Sequence, residues 1–497
     1  MIVLIRQYIN DPAIMIPLHP NFIRHIENEL PAHLSLTDFI DYCNQPLRKS
    51  IRVNTLKIAT PKFVDIMTQA GWQLTSIPWC NDGFWIEGND DIQLGNAIEH
   101  IQGLFYIQEA SSMLPPIALF ADNTHPEIVL DVASAPGSKT TQIAALMNNS
   151  GLLVANEYSA SRVKVLHANI SRMGASHTAL THFDGRVFGE YLFESFDAIL
   201  LDAPCGGEGT VRKDPLALKH WDIEDVKAIA ETQKDLIESA FLALKPGGTL
   251  VYSTCTLSQV ENQSICKHLQ QQFPHAVEFV SLNHLFDGAD KACTEEGFLH
   301  VWPQIYDSEG FFVAKIRKTA SVERVKKQPK LQKNFPFTVA GDKQQIELKN
   351  YFKETFSIEL PNDDIMMLRD DEYWLFPAHF TDFIGKMRFQ RIGLKLADAL
   401  KKGYKAKHEA IIALASTSDA ARTIELTPEQ AQDFLMGRDI ATQTFNEPLQ
   451  DYLADLAQGE MLVSYHNIVL GIVKHLGHRL KNNLPRELVR DKVNLSL

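Results

Sequence analysis

The fold is decided by one stretch, EIVLDVASAPGSKTTQIAALMNN, at residues 127–149. It begins as a short apolar run typical of a buried strand, passes through a turn of small residues and continues with a helical pattern. Gly137 lets a ligand approach the backbone of that turn, and the amino end of the following helix adds partial positive charge. The stretch therefore predicts a ligand-binding turn, although a single turn of this kind also occurs as an ordinary strand-to-helix loop.

The order of strand, loop and helix repeats from residue 120 to 318, which predicts an α/β domain with a doubly wound parallel sheet. The other strand candidates are LLVANEY (152–158), HTALTHFDG (177–185), FDAILLDAPC (196–205) and GGTLVYSTCT (247–256). AVEFVSL (276–282) and GFFVAKIRK (310–318) are candidates to close the sheet as a hairpin. Ligands bind at the carboxyl ends of the strands in such a sheet, so we expect the functional residues there.

Composition changes divide the chain into four predicted parts. A small N-terminal α+β domain is expected at 1–112, the sheet domain at 113–318, a basic linker at 319–334 and a C-terminal α+β region at 335–497. The C-terminal region ends in two apolar runs around Tyr465, His466 and Asn467, a pattern that predicts a hairpin.

Of the 497 residues, 45% are hydrophobic and 22% are charged, which is ordinary for a globular protein of several domains. The first residues show an apolar run too short for a signal peptide, and no stretch reaches membrane-spanning length, so we expect a cytoplasmic protein.

The six cysteines lack metal-ligand spacing, which predicts reduced thiols and no metal site. The net charge is −13, but basic residues cluster at 315–333, 385–408 and 474–492, and each cluster fits either a solvated face or nucleic-acid contact.

Polar residues end three successive predicted strands. The turn after Asp131 ends the first, Glu157 ends the second at the spacing typical of a ribose-binding acid, and Asp184 ends the third. Together they predict a site for a nucleoside cofactor, with Asp184 within reach of an adenine amino group.

Two cysteines follow the next two strands. DAPCGGEGTVRKDP (202–215) places Cys205 at the end of the fourth strand, and STCT (253–256) places Cys255 at the end of the fifth. Neighbouring strands would bring both thiols to one substrate. We interpret the remaining cysteines, Cys43, Cys80, Cys266 and Cys293, as small hydrophobic residues.

The cofactor turn and the paired PC and TC cysteines resemble those of the Sun-like RNA 5-methylcytosine methyltransferase family, from residue 50 to 318. The resemblance implies a Rossmann-like class I methyltransferase fold and S-adenosylmethionine as cofactor. It implies that Cys255 is the nucleophile, that Cys205 assists product release and that Asp202 contacts N3 and N4 of cytosine. The cofactor-binding residues that it implies are Ala133, Ser134, Ala135, Pro136, Gly137, Ser138, Lys139, Glu157, Asp184 and Asp202.

Gly206, Gly207 and the long C-terminal extension are most similar to a bacterial branch of the family. That branch implies one cytosine in the decoding region of 16S rRNA as target, methylated on the assembled small subunit by a monomeric enzyme. The N-terminal domain would then bind RNA or pack on the sheet domain. The end of the chain resembles a PUA-like β-barrel, with Lys474, Arg479 and Lys481 as candidate phosphate contacts, or else a lid on the catalytic domain.

Alternatives remain at the level of the sequence. The same reaction on tRNA or large-subunit rRNA is one, and a ribosome-assembly factor without catalysis is another, although such a scaffold has no need for both Cys205 and Cys255. A DNA cytosine methyltransferase is disfavoured, because that family uses the cysteine of its PC motif as nucleophile. We expect Lys139 to serve the site, Arg212 and Lys213 to contact either phosphates or nearby acids, and Arg52 and Asn54 to pack against the sheet domain.

Overall fold

A computed structural model describes residues 18–88, 93–123, 125–324, 326–415 and 422–494. Residues 1–17, on which the expectation about a signal peptide rests, lie outside the described residues. Within them, no helix is both long and apolar enough to cross a membrane.

The N-terminal domain is an α+β unit. Its elements are α1 (Pro20–Glu29), α2 (Leu36–Cys43), β1 (Ser50–Val53), α3 (Thr60–Gln69), β2 (Gln73–Ile77), β3 (Cys80–Glu87), α4 (Ile98–Ile101) and β4 (Phe105–Ile107). The strands form an antiparallel sheet in the order β2-β3-β1-β4. Arg52 on β1 is buried and donates to Gln108 Oε1 at 2.8 Å and to Thr141 Oγ1 at 2.9 Å, so it joins this domain to the sheet domain as expected. Asn54 is also buried and donates to the carbonyl of Met173 at 2.8 Å.

The sheet domain alternates strands and helices. Its elements are α5 (Leu114–Phe120), β5 (Ile128–Asp131), α6 (Ser138–Leu146), β6 (Leu152–Asn156), α7 (Ala160–Met173), β7 (Thr178–Thr181), α8 (Phe188–Tyr191), β8 (Phe196–Asp202), α9 (Ile223–Ala243), β9 (Leu244–Thr254), α10 (Gln263–Gln272), β10 (Val277–Val280), β11 (Leu299–Val301), α11 (Pro303–Tyr306) and β12 (Phe311–Lys318).

The order of the central sheet is β10-β12-β9-β8-β5-β6-β7. The five neighbouring strands β9, β8, β5, β6 and β7 all run parallel. The chain adds strands on one side of β5 and then returns to add β8 on the other side, which places a ligand crevice at the carboxyl ends of β5 and β8. Strands β10 and β12, predicted as a hairpin, do pair antiparallel, but β11 and α11 lie between them in the chain, and β12 also pairs antiparallel with β9 and β11. Helices cover both faces over two apolar cores, and the doubly wound α/β fold is confirmed.

The C-terminal region contains two further sheets. Its elements are β13 (Thr338–Val339), α12 (Asp342–Phe356), β14 (Ile365–Arg369), β15 (Glu372–Phe376), β16 (Arg391–Ile392), β17 (Leu394–Ala399), β18 (Tyr404–Ala406), α13 (His408–Leu414), β19 (Thr423–Glu425), α14 (Pro428–Leu435), β20 (Ile440–Ala441), α15 (Glu447–Asp455), β21 (Gly459–Tyr465), β22 (Ile468–His475) and β23 (Arg479–Asn482). The sheet orders are β13-β14-β15-β17-β18 and β19-β21-β22-β23-β20.

The predicted hairpin is present. Strands β21 and β22 pair antiparallel, and His466 and Asn467 form the turn with φ of +55° and +59°. One strand pairing was not predicted. Strand β16 belongs to the C-terminal region in sequence but pairs antiparallel with β7 at the edge of the central sheet.

Candidate active site

Two thiols meet where β8 and β9 end. The strands are parallel neighbours in a register that sets Asp202 opposite Ser253, and the loops that follow bring Cys205 Sγ to 3.0 Å from Cys255 Sγ. Both side chains are partly exposed, and both cysteines are free. The hydrogen bond to Cys255, together with burial, raises the pKa of the Cys205 thiol well above its usual value, so Cys205 keeps its proton at neutral pH.

A partly buried ion pair lies beside these thiols. Lys139 Nζ is 2.8 Å from Asp202 Oδ2 and 2.9 Å from Ser112 Oγ, and Ser253 Oγ donates to the other oxygen of Asp202 at 2.8 Å. Burial by itself lowers the pKa of Lys139, but the neighbouring Asp202 raises it above its ordinary value. Lys139 is therefore a fixed positive charge that ties the predicted cofactor turn to the end of β8.

The turn at 133–139 is held from two sides. Gly137 has φ of +112°, and a Cβ there would lie 3.2 Å from Leu166 Cδ1, so a glycine is needed before α6 begins at Ser138. Glu157 is buried after β6 and accepts the backbone N–H of Ala135 at 3.2 Å and that of Ser159 at 2.8 Å.

Two acidic residues of this edge differ in their surroundings. Asp184 follows β7 and pairs with the guanidinium of Arg186 at 2.6 Å, and the hydrogen bond from Arg186 lowers the pKa of the Asp184 carboxyl.

Asp131 ends β5 and is buried, and sequence reasoning assigned it no separate role. Its Oδ2 accepts the hydroxyl of Thr140 at 2.6 Å, while Oδ1 has no hydrogen-bond partner among the described residues. Burial raises the pKa of Asp131 to about 7.

Sequence reasoning also missed a buried network beneath the two cysteine loops. Glu261 Oε1 accepts the backbone N–H of Gly206 at 2.9 Å, and Thr256 Oγ1 lies 3.0 Å from Glu261 Oε2 and 2.9 Å from Glu208 Oε2. Glu261 therefore links the loop after Cys205 to the loop after Cys255. The polar residues that follow Cys255 in the sequence would look the same whether this acid were buried or exposed at the start of a helix.

The Glu261 network predicts a pH effect on stability. Burial, reinforced by the charge of Glu208, raises the pKa of Glu261 to about 7, so the folded protein binds this proton more tightly than the unfolded chain does. Stability from this group is present at low pH and is lost as pH rises from the unfolded pKa, near 4.5, through the folded value of about 7.

We expect the stability of Glu261→Gln relative to wild type to increase by on the order of 2 kcal/mol between about pH 5.5 and pH 8, measured as the free energy of unfolding in urea. The exposed carboxyl variant Glu278→Gln is the control, and an equal stability difference for Glu261→Gln at both pH values contradicts the prediction.

Arg212 and Lys213 differ in role. The Arg212 side chain is 1% exposed and is 2.7 Å from Asp307 Oδ1, so it takes the ion-pair alternative and does not face solvent. It also donates to the carbonyl of Pro46 at 2.8 Å, which fixes the loop after Cys205 to the N-terminal domain. Lys213 is exposed, and its contact with phosphate stays a prediction.

Family models match the chain along most of its length. They are described as the N-terminal domain of 16S rRNA methyltransferase RsmF (residues 18–110), 16S rRNA methyltransferase RsmB/F (118–317), the pre-PUA domain of ribosomal RNA small subunit methyltransferase F (337–414) and the RsmF PUA domain (421–490). These matches agree with the predicted N-terminal and PUA-like units.

Among curated proteins, ribosomal RNA small subunit methyltransferase F of Shewanella frigidimarina is 81% identical over 97% of this chain and 100% of its own length. That of Shewanella oneidensis is 67% identical over 97% of this chain and 99% of its own. Among solved structures, PH0851 is 28% identical with a TM-score of 0.56, covering 61% of this chain and 67% of its own. NSun6 from Pyrococcus horikoshii shares the fold at 22% identity and a TM-score of 0.52, over 62% of this chain and all of its own. The chain belongs to the family of ribosomal RNA small subunit methyltransferase F, within the Sun-like rRNA methyltransferases.

Proposed function

We propose that this protein methylates carbon 5 of one cytosine in the decoding region of 16S rRNA through a covalent adduct with Cys255. The observation that carries the proposal is the pair of thiols, 3.0 Å apart, at the ends of two adjacent parallel strands. The substrate follows from the relatives, whose names state that they modify small-subunit ribosomal RNA.

The residues at the ends of β5 and β6 fit S-adenosylmethionine. Asp131 Oδ1 is a buried acceptor without a donor in the described part of the chain, and Gly137 lets the turn pack closely against Leu166 of α7. Each oxygen of Glu157 accepts one N–H and keeps a lone pair that a ribose hydroxyl can use. The other proposed binding residues are Ala133, Ser134, Ala135, Pro136, Ser138, Lys139, Asp184 and Asp202. When bound, S-adenosylmethionine supplies an electrophilic methyl group.

Carbon 5 of cytosine is a poor nucleophile and must be activated. Addition of the Cys255 thiolate to carbon 6 breaks the conjugation of the ring and gives carbon 5 the electron density to take a methyl group. Asp202 is held by Lys139 and Ser253 in one orientation, which suits accepting a hydrogen bond from the exocyclic amine of the base and from N3 when N3 is protonated as the thiolate adds.

Release requires a second group. The proton on carbon 5 must leave, and the bond between carbon 6 and Cys255 sulfur then breaks as the ring double bond reforms. Cys205 lies 3.0 Å from the same sulfur, so we assign nucleophilic attack to Cys255 and assistance of product release to Cys205. The carbon 5 proton passes to a base, a role that the protonated Cys205 thiol can take only after it gives its own proton to solvent.

The target must be unpaired, because a base inside a helix cannot reach the strand ends. The N-terminal domain and the C-terminal PUA-like module would orient the RNA. In the module, Lys474 and Lys481 are exposed, while Arg479 lies 3.2 Å from Asp439. These side chains are proposed phosphate contacts that leave the chemistry to the sheet domain.

The substrate is tested by transfer of labelled methyl from S-adenosylmethionine to small ribosomal subunits that lack the modification, naked 16S rRNA and bulk tRNA. We expect label on carbon 5 of one cytosine of the assembled subunit and no more than background on tRNA. Label on tRNA alone contradicts the substrate but keeps the chemistry. No label on any RNA, with S-adenosylmethionine binding intact, contradicts the enzyme and leaves an RNA-binding assembly factor.

A further inference from the structure

A second concave site lies away from the two thiols. It is a cleft of about 680 Å³ where the N-terminal domain, helix α7 and both C-terminal sheets meet. Its walls include Gln102 of the N-terminal domain, Arg172 of α7, Lys405 of β18 and Arg490 near the end of the described chain. Neither cysteine of the candidate active site lines it, nor does Lys139 or Asp202.

The cleft is basic in an acidic protein. Among the residues that the structure describes, seven lysine and arginine side chains line it, against the three carboxylates Glu409, Glu460 and Glu487. The chain as a whole has a net charge of −13. A local excess of positive charge inside a concavity focuses the field and attracts an anionic ligand.

Several of these cations have no internal partner. Lys405, Arg486 and Arg490 are exposed, and in the described ranges of the chain none of the three forms an ion pair. By contrast, Arg391 in the same wall pairs with Glu409, and Lys407 pairs with Asp398. Lys405 comes from one C-terminal sheet, Arg486 and Arg490 come from the segment that follows the last strand of the other, and all three side chains line one space.

Buried polar groups complete the wall. Arg172 is tied to the carbonyl of His100 at 2.7 Å, and burial lowers its pKa to about 10, with Arg490 contributing in the same direction. His408 also lines the cleft, but its Nδ1 is buried against Gly471. The Arg172 guanidinium, held in place by the His100 carbonyl, offers a fixed positive charge to a phosphate.

Helix α7 connects this cleft to the candidate active site. Arg162, in its first turn, donates to the carbonyl of Ala135 in the cofactor turn, and Arg172, in its last turn, lines the cleft. Ten residues of helix separate them, or about 15 Å of axial rise. A few nucleotides of extended RNA can cover such a distance.

We propose that this cleft binds the sugar-phosphate backbone of the RNA strand next to the target nucleotide. Exposed cations on a strand of one sheet and on the segment after the other sheet suit a chain of phosphates better than one small anion, because a single phosphate can reach only part of the wall. The cleft binds by charge and supplies position, while the choice of base stays with the sheet domain. The inference rests on the proposed function, since that function provides an RNA substrate.

The test replaces the three unpaired cations by acids, as Lys405→Glu, Arg486→Glu and Arg490→Glu in one protein. A control with the same net charge carries Lys62→Glu, Lys291→Glu and Lys343→Glu, three exposed lysines outside the cleft and outside the three basic clusters. The probe is a fluorescent fragment of 16S rRNA, and its dissociation constant is measured at several KCl concentrations. Binding of S-adenosylmethionine and methyl transfer at saturating RNA are measured on the same proteins.

We expect the cleft variant to bind the fragment at least about tenfold more weakly, with a salt slope reduced by about 2, because each lost single-strand phosphate contact removes about 0.7. Its KM for RNA rises, while kcat and S-adenosylmethionine binding stay close to wild type. The control keeps the wild-type salt slope. Equal affinity and slope for the two triple variants overturn the proposal, as does a loss of kcat without a change in KM.

The two proposals can fail separately. If the wild type methylates the subunit and the cleft variant binds like the control, the cleft inference fails alone. If no RNA is methylated but the cleft variant still loses affinity and salt slope, the methylation proposal fails and the cleft remains an RNA site.

Discussion

Cys255→Ala is expected to abolish methyl transfer to RNA. The thiolate of Cys255 is the group that adds to carbon 6 in our proposal, and without it carbon 5 never gains enough electron density to accept a methyl group. Loss of an essential nucleophile lowers kcat by on the order of 10⁴-fold or more. Transfer of labelled methyl to small ribosomal subunits measures the effect.

The variant must lose chemistry and keep its fold and ligands. Cys255 is partly exposed, so its replacement opens only a small gap, and S-adenosylmethionine and RNA should bind with wild-type affinity. Cys293→Ala is the matched control, because Cys293 is also a partly exposed cysteine but lies outside the two thiol loops. Transfer by Cys255→Ala within about tenfold of wild type would remove covalent catalysis from the mechanism.

The parts of the fold that local patterns determine could be predicted from the sequence. Strands β5 to β9 are short apolar runs with turn residues after them, and each was expected within a few residues of its observed bounds. The sites at their ends follow from the parallel sheet, because strands that run the same way end at one edge.

Contacts that depend on distant segments could not be predicted. Strand β16 is two residues long and joins a sheet whose partner strand β7 is about 200 positions earlier, so no local pattern marks it. Arg212 shows the same limit within the candidate site. A basic residue after a catalytic-type loop suggests phosphate contact, yet Asp307 and the carbonyl of Pro46, both remote in sequence, bury its charge.

Cys205→Ala is expected to trap the enzyme on its product. Attack by Cys255 and methyl transfer do not need Cys205, so the methylated adduct forms, but loss of the proton from carbon 5 and elimination of the thiol become slow. A stable complex of protein and RNA should appear on a denaturing gel when subunits and S-adenosylmethionine are both supplied. Turnover should fall by about 10²-fold or more, the scale of removing a proton-transfer group.

The two alanine variants together test which sulfur attacks, because the thiols are only 3.0 Å apart and geometry alone permits either order. The assignment of attack to Cys255 comes from the family resemblance of its TC motif, and the hydrogen bond to Cys255, which raises the pKa of the Cys205 thiol, suits Cys205 as the protonated partner of the pair. The double variant Cys205→Ala/Cys255→Ala should form no adduct, which shows that the trapped bond is to Cys255.

An adduct that accumulates in Cys255→Ala, while Cys205→Ala is inactive and forms no adduct, would exchange the roles of the two cysteines. Product release by Cys205→Ala at the wild-type rate would instead assign the release step to another group.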